Sequence, residues 1–157
     1  MAERIDHLYP VITSWRGSTG AGYEEYSRTH EVSAAPAKTA VIMSSDPTFR
    51  GDPTLLNPEQ LLVMAVSSCQ MLTFLALSAK RRINVVEYED HGEGFMPDGD
   101  KPVRITRIHL KPRIVIDGSV DPGTVESLVK LAHSHCFIAN SIKSDIRIEP
   151  EIVILKL

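Results

Sequence analysis

The sequence is poor in several features that define large classes of proteins. Its 157 residues include only two cysteines, Cys69 and Cys136. Two are too few for a secreted scaffold held by disulfides, so a reducing cytoplasm is the expected location. The formal charge is −3 and the basic residues form no dense block, which argues against a nucleic-acid partner. Without repeats or low-complexity segments, the length predicts a single domain, residues 1–157.

A phosphate-binding loop and a pair of membrane spans are missing as well. The glycine-rich stretch 17–22 is not followed by the Lys-Ser/Thr pair that such a loop requires. One apolar run, residues 61–79, has the length of a membrane span and precedes the basic residues 80–82. Polar residues interrupt its middle, and neither a second span nor a signal peptide is recognisable, so we expect a core helix and no membrane.

This apolar run begins with strong signals for a helix start. Asn57 is a favourable cap, Pro58 suits the first helical position, and Glu59 favours the positive end of the helix dipole. A helix that is apolar on nearly every side is a buried helix. Cys69 lies in its middle. A free cysteine there is usually a small buried apolar residue, and a reactive thiol is the alternative.

The remaining segments predict an α+β fold. A second helix should begin at Asp121-Pro122, with an apolar stripe that ends at Cys136. Alternating patterns predict six strands, each of the last two with an internal proline that marks a bulge or an edge; they cover residues 7–16, 23–33, 38–44, 85–95, 108–116 and 146–154. We expect antiparallel sheets wrapped around the buried central helix. Because one small sheet cannot cover that helix, we also expect a dimer in which the helix packs on its partner.

The two cysteines suggest redox chemistry if they meet. Both are placed on the inner faces of helices, and a disulfide forms without backbone movement when the Cα atoms come within about 7 Å. The thiolate is the reactive form, so one cysteine needs a cation or hydrogen-bond donors nearby. Arg50, in the irregular loop 46–56, is the nearest cation in sequence, and Glu59 is placed to orient its guanidinium. An exposed, solvated arginine is the competing interpretation.

The chain resembles the osmotically inducible protein C / organic hydroperoxide resistance (OsmC/Ohr) family. The motif that carries the resemblance is Asn57-Pro58-Glu59-Gln60-Leu61-Leu62 followed by Cys69, with the second cysteine in Ala132-His133-Ser134-His135-Cys136. The likeness extends to Trp15-Arg16-Gly17 and to the order of elements, so it covers nearly the whole chain. It implies an OsmC-like fold, an intertwined homodimer and a thiol-dependent peroxidase that reduces organic hydroperoxides in oxidative-stress defence, with no metal or organic cofactor.

The resemblance also implies roles for individual residues. Cys69 would be the peroxidatic cysteine, Cys136 the resolving cysteine, and Glu59 the carboxylate that holds the catalytic arginine. Arg50 matches the position where the OsmC branch keeps that arginine, whereas the Ohr branch takes it from the first hairpin, where Arg16 lies here. The disulfide would be reduced by an external dithiol from a lipoyl protein or a thioredoxin-like protein.

The sequence departs from the family pattern after the second cysteine. Cys136-Phe137-Ile138-Ala139-Asn140 stands where better-known members tend to have Cys-Pro and a nearby serine. This departure affects the expected substrate preference and the efficiency of resolution.

Two alternatives belong to other functional classes. A metal site would use Cys69, Cys136, His133 and His135, but their spacing matches no usual zinc pattern, and the two histidines cannot share a helix face. The other alternative is a non-enzymatic member that binds a small apolar ligand beside the helices and has inert cysteines.

Overall fold

A computed structural model describes residues 6–155 of the chain. It contains nine strands and two α-helices within those residues, and the contacts group the described residues up to 58 and those from 59 onward into two compact units. Residues 1–5 and 156–157, the ends of the predicted single domain, lie outside the described part. The α+β class is confirmed, and the single domain stays a prediction.

The first unit carries a three-stranded antiparallel sheet. Strands β1 (Ile12–Ser14), β2 (His30–Ser33) and β3 (Val41–Met43) pair in that order. Each strand is shorter than the sequence pattern predicted, because the flanking residues form turns, bends or irregular backbone. Side-chain contacts, and not strand pairing, stabilise the segment between β1 and β2. The Trp15 indole donates to the Ser27 carbonyl oxygen at 2.7 Å, and the Arg28 guanidinium lies 3.7 Å from the Tyr26 ring centroid.

Helix α1 spans Pro58–Lys80 without interruption. One face of it is buried, formed by every fourth residue: Val66, Gln70, Phe74 and Ser78. The opposite face is apolar and open, with Leu61 39%, Met64 48% and Leu72 60% exposed. In a single chain, only one face of the central helix is buried as predicted.

Helix α1 is long and apolar enough to cross a membrane by length and composition alone. That property is weak evidence for a span, because the core helix of a globular protein has the same length and composition. Its buried face packs in the second unit against helix α2 and the sheets.

The second unit contains two three-stranded sheets. Their strands, in chain order, are β4 (Asn84–Asp90), β5 (Glu93–Phe95), β6 (Arg107–Leu110), β7 (Pro112–Asp117), β8 (Asp145–Ile148) and β9 (Glu151–Leu155). The sheet orders are β4-β7-β9 and β5-β6-β8. Within each sheet the first pairing is antiparallel, but β8 and β9 run parallel to β6 and β7. The expectation of purely antiparallel sheets is corrected here: the 14-residue helix α2 (Pro122–His135) is a crossover that returns the chain in the same direction.

The two prolines predicted to mark a bulge or an edge lie where long strands are divided. β6 ends at Leu110 and β7 begins at Pro112, while β8 and β9 are separated by Glu149 and Pro150. At the first division the Lys111 amide donates to the Asp90 Oδ1 atom at 2.7 Å. A proline has no amide hydrogen to donate to a ladder, so these positions favour a break.

Helix α2 starts and packs as the sequence predicted. The Thr124 amide donates to Asp121 Oδ2 at 3.0 Å, which is an N-terminal cap. Its apolar stripe is almost fully buried and packs against Phe74 of α1 and the central strand β7; the stripe consists of Val125, Leu128, Val129 and Ala132. Cys136 follows the last turn and is completely buried. The core of the second unit thus fixes the end of α2 beside the middle of α1.

Candidate active site

Cys69 is held in the middle of α1, at the edge of the buried face. It is partly exposed, whereas its neighbour Gln70 is buried. The Gln70 side-chain amide donates to the carbonyl oxygen of Val129 at 3.0 Å, which links α1 directly to α2. The other amide atom of Gln70, Oε1, is buried and has no hydrogen-bond partner among residues 6–155. This link fixes the rotation of α1 and therefore the direction in which Cys69 points.

Cys136 lies directly behind the C-terminal turn of α2. Its amide donates to the His133 carbonyl oxygen at 3.2 Å, and its Sγ atom accepts from the Ala139 amide at 3.4 Å. Both cysteines are free thiols. The Cys136 thiol donates a hydrogen bond to the Cys69 sulfur. The structure thus brings together the two cysteines that the sequence placed on inward helix faces.

A turn of backbone amides surrounds the two sulfur atoms. We call residues 136–139 the amide turn. The Ala139 amide donates to Cys136 Sγ at 3.4 Å, and hydrogen bonds from the Ile138 and Phe137 amides lower the pKa of Cys69. Successive backbone N–H groups that converge in this way form a concave site that favours an anion. Such a site favours the thiolate form of Cys69 over the thiol.

The pKa values of the two thiols are displaced in opposite directions. Burial raises the pKa of Cys69. Hydrogen bonds from the Ile138 amide, the Cys136 thiol, the Phe137 amide and the Thr73 hydroxyl together outweigh burial and hold this pKa below the ordinary value of a thiol. Burial, followed by the hydrogen bond to Cys69, raises the pKa of Cys136 to about 11. Cys69 is therefore the thiol that ionises first, and Cys136 remains protonated beside it.

Glu59 lies in the first turn of α1, ten residues before Cys69. Its Oε2 atom is buried and makes no hydrogen bond with any residue between 6 and 155. A buried carboxylate oxygen without a donor is unfavourable by about 1–3 kcal/mol. An unbroken helix separates positions 59 and 69 by about 15 Å along its axis. The two predicted site residues are therefore not brought together within one chain.

Arg50, in the first unit, ends a short 3₁₀ turn formed by Pro47–Phe49. Its backbone has φ = 66°, in the left-handed region. Its guanidinium forms an ion pair with Glu24, and both side chains are largely exposed. Arg16, the alternative cation, is exposed next to Trp15. The assignment of Arg50 as the catalytic arginine, with Arg16 as the alternative, therefore stays a prediction.

The four residues considered for a metal site do not form one. No group of three or more His, Cys, Asp or Glu side chains between residues 6 and 155 is arranged to hold a metal ion. His135 Nδ1 lies 2.9 Å from the Leu131 carbonyl oxygen, back along its own helix. The metal alternative therefore has no geometric support.

Sequence reasoning missed the amide turn. The signal for it was the departure after Cys136, because a residue other than proline at position 137 supplies an amide hydrogen. Asn140 was a second signal, since its side chain donates to the carbonyl oxygens of Ser134 and Cys136 at 3.1 and 3.0 Å. Asn140 thereby fixes the turn on the end of α2.

Comparison with known proteins places this geometry in a family context. The family model of OsmC-like protein matches residues 51–151, which is more than half of the chain. No curated protein matches the chain. The solved structure of an OsmC-like protein of unknown function from Vibrio cholerae is 29% identical, with a TM-score of 0.83 over 93% of this chain and 100% of the other.

Two further solved structures share the fold at lower identity. An organic hydroperoxide resistance protein OsmC from Legionella pneumophila is 16% identical, with a TM-score of 0.65 over 94% of this chain and 99% of that one. The organic hydroperoxide resistance protein OhrB of Bacillus subtilis is 15% identical, with a TM-score of 0.59 over 93% and 98%. At these identities the likeness concerns the fold alone.

Proposed function

The chain belongs to the family of OsmC-like proteins, and from that premise we propose that it is a thiol-dependent peroxidase that reduces organic hydroperoxides. The observation that carries the proposal is the contact between two free thiols of opposite character. Hydrogen bonds, the largest contribution coming from the Ile138 amide, hold the pKa of the free Cys69 thiol below its ordinary value. Burial raises the pKa of the free Cys136 thiol to about 11. Two neighbours that share this fold are named organic hydroperoxide resistance proteins.

The first step would be nucleophilic attack by the Cys69 thiolate on the terminal oxygen of the hydroperoxide. The sulfur–oxygen bond forms as the oxygen–oxygen bond breaks, and Cys69 becomes a sulfenic acid. The leaving alkoxide takes up a proton from solvent and departs as the alcohol. The thiolate is needed because it, and not the thiol, is the nucleophile.

The second step would be attack by the Cys136 sulfur on the Cys69 sulfenic acid. This forms the Cys69–Cys136 disulfide and releases water. Once Cys69 has lost its negative charge, one cause of the raised pKa of Cys136 is removed, so oxidation at Cys69 itself activates the second thiol. An external dithiol, from a lipoyl or thioredoxin-like protein, then returns both thiols by exchange and is oxidised in turn.

A cation would assist the first step, and we propose Arg50 for it, with Glu59 as its carboxylate. An arginine near the peroxide stabilises the charge that develops on the departing oxygen. The buried Glu59 Oε2 atom, which lacks a donor among the described residues, supports a guanidinium at that position. In the single chain Arg50 is paired with Glu24 instead.

We propose further that the active protein is a homodimer whose sites are shared between chains. Glu59 and Cys69 lie about 15 Å apart along one unbroken helix and point in directions that differ by roughly 80°. Two copies of α1 packed antiparallel would place Glu59 beside Cys69 of the partner subunit. The same packing would cover the exposed apolar face of α1, which includes Leu72 at 60% exposure.

The proposed setting is the cytoplasm, where peroxide-stress defence draws on dithiol reductants. Thiol counting tests the chemistry: an organic hydroperoxide should consume both thiols and give an intrachain disulfide. Cys69→Ser should abolish turnover, whereas Cys136→Ser should accumulate a sulfenic acid at Cys69. Retained turnover in Cys69→Ser would refute the peroxidase proposal.

A comparison of turnover rates would identify the substrate and reductant classes. It would use hydrogen peroxide, t-butyl hydroperoxide and a fatty-acid hydroperoxide, each with thioredoxin and with a lipoyl dithiol.

A non-enzymatic, apolar-ligand-binding role is the competing proposal. A cavity of about 460 Å³ lies beside α1, and three apolar side chains, Val63, Met64 and Met71, contribute to its lining. If this role is the right one, the thiols should remain reduced when hydroperoxide is added, and an apolar fluorescent probe should bind with the same affinity to the wild type and to Cys69→Ser.

A further inference from the structure

A cavity in the first unit combines aromatic side chains with one arginine. Its volume is about 330 Å³, at the lower end of the range found for small-molecule sites. Trp15, Tyr26 and Arg28 contribute to its lining, together with His30 and the buried Ser44. All of its lining residues lie between positions 13 and 58, so the cavity belongs to the first unit alone.

The side chains around this cavity are held in place by backbone carbonyl oxygens of the segment 23–28. The Trp15 indole and the Arg28 guanidinium both donate to carbonyl oxygens of this segment, the indole at 2.7 Å. The Nδ1 atom of His30 lies 2.8 Å from a third carbonyl oxygen of the segment. Because a carbonyl oxygen can only accept, this Nδ1 atom carries a hydrogen. Side chains fixed in this way lose little further freedom when a ligand binds, so the cavity is preorganised.

Arg28 brings a positive charge without an acidic partner to the cavity. Its guanidinium lies 3.7 Å from the Tyr26 ring centroid and 4.6 Å from that of Tyr23. No carboxylate between residues 6 and 155 forms an ion pair with it, and none of the nine lining residues is acidic. A guanidinium has five N–H donors, of which the two carbonyl oxygens use two. The cavity therefore offers a fixed cation to an anionic ligand.

We propose that this cavity is a binding site for a small aromatic carboxylate, of which benzoate is the simplest. The carboxylate would pair with Arg28, because a planar guanidinium matches the geometry of a carboxylate. The ring of the ligand would pack against Trp15 and Tyr26, whose own rings meet edge to face with centroids 6.0 Å apart. An anion without a ring would leave these aromatic side chains uncovered, and a ring without a charge would leave the cation unpaired. The ligand therefore needs both parts.

The fluorescence of Trp15 gives a direct measurement, because this residue is the only tryptophan in the chain. Titration of the wild-type protein with sodium benzoate should change the emission saturably, with a Kd of about 1 mM or lower. Benzyl alcohol has the ring without the charge, and cyclohexanecarboxylate has the charge without the aromatic ring. Isothermal titration calorimetry should show that each of them binds about tenfold more weakly than benzoate.

Two results of this ligand series would overturn the inference. One is the absence of saturable binding up to about 10 mM benzoate. The other is equal affinity for benzoate and for either of the two analogues, since the site would then recognise only a ring or only a charge. The series uses the wild-type protein, so it remains decisive even if a substitution at the cavity prevents folding.

A pair of arginine variants tests whether the ligand binds in this cavity. Arg28→Gln removes the cation and should weaken benzoate binding about tenfold or more. Arg107→Gln is the matched control, because the Arg107 guanidinium also lies over an aromatic ring, 4.8 Å from the Phe95 centroid, but in the second unit. This control should bind benzoate as the wild type does, and far-UV circular dichroism checks that both variants are folded. Equal weakening in two folded variants would contradict the assignment to this cavity.

The binding measurement involves neither a hydroperoxide nor a thiol. Saturable benzoate binding in a protein without hydroperoxide turnover would therefore uphold this inference and refute the peroxidase proposal. Turnover in a protein that fails to bind benzoate would have the opposite meaning.

Discussion

Two thiols in contact behave differently here because each has different neighbours. Hydrogen bonds from two backbone amides, one thiol and one hydroxyl lower the pKa of Cys69, while burial and the neighbouring Cys69 raise the pKa of Cys136. In water a thiol has a pKa of about 8.5. The arrangement separates the two ionisations, so the nucleophile and the thiol that later resolves it are distinguished before any peroxide arrives.

This coupling predicts a change at Cys136 when Cys69 is replaced. In Cys69→Ser the negative charge and the sulfur acceptor are both lost, so the pKa of Cys136 should fall from about 11. Burial, its largest cause, remains, and the pKa should stay above the ordinary value. Ultraviolet titration of thiolate absorbance measures this directly: Cys136 should begin to ionise at lower pH in the variant. An unchanged titration would show that the two thiols are not coupled.

The catalytic arginine is the second question at the residue scale. Arg50→Ala should slow hydroperoxide consumption about tenfold or more, because charge on the leaving oxygen loses its cation. Its ion pair with Glu24 is exposed, so unfolding free energy should change by no more than about 1 kcal/mol. Stopped-flow peroxide consumption and urea unfolding measure the two effects, with Arg50→Lys as the charge-conserving control. If Arg16→Ala reproduces the kinetic loss and Arg50→Ala does not, the first hairpin supplies the cation.

At the scale of elements, the site depends on where α2 ends. The helix is fixed at its start by the Asp121 cap and along its length by four buried apolar residues. Its end then presents Cys136 to the middle of α1. The link from Gln70 to Val129 sets the relative position of the two helices. Neither helix alone places both sulfur atoms.

The N-terminal cap of α2 provides a prediction about this element. Asp121→Ala removes the acceptor of the Thr124 amide and should lower the unfolding free energy by about 1 kcal/mol. Asp121→Asn keeps an oxygen acceptor and should be close to wild type. Urea unfolding followed by circular dichroism measures both. Equal stability of the Ala and Asn variants would mean that the cap contributes nothing.

At the scale of the whole molecule, several apolar surfaces of the single chain are open. They include the face of α1 that carries Leu61, Met64 and Leu72, and the exposed strand β1. Open apolar surfaces of this kind mark interfaces in soluble proteins. The proposed dimer gives the face of α1 a specific partner, namely the same face of a second copy.

Mixing two inactive variants tests whether the active site is shared. Glu59→Ala and Cys69→Ser homodimers should both be inactive. After subunit exchange, a heterodimer would contain one site with an intact Glu59 and an intact Cys69 from opposite chains. Each heterodimer should have about half of the wild-type turnover, and an equal mixture at exchange equilibrium about a quarter. Activity that stays absent after exchange, verified by native mass spectrometry, would place both residues of each site in one chain.

The sequence by itself determined the elements whose signals are local. The Pro58 and Asp121-Pro122 signals marked both helix starts, and the apolar stripe of α2 lies where its spacing predicted. The motif around Glu59 and Cys69 also indicated the family, because that motif is a matter of residue order alone. Such features depend on neighbours within a few positions, which a sequence displays directly.

Only the tertiary structure decided the rest. The parallel direction of β8 and β9 follows from the crossover through α2, and no local pattern distinguishes a parallel from an antiparallel strand. The order of the two thiol pKa values arises from the burial of Cys136 and from hydrogen bonds to Cys69, which include those of the Ile138 and Phe137 amides about seventy positions away in the chain. Every residue other than proline carries an amide hydrogen, so the sequence contains these donors without showing where they point. Their direction is a property of the folded backbone.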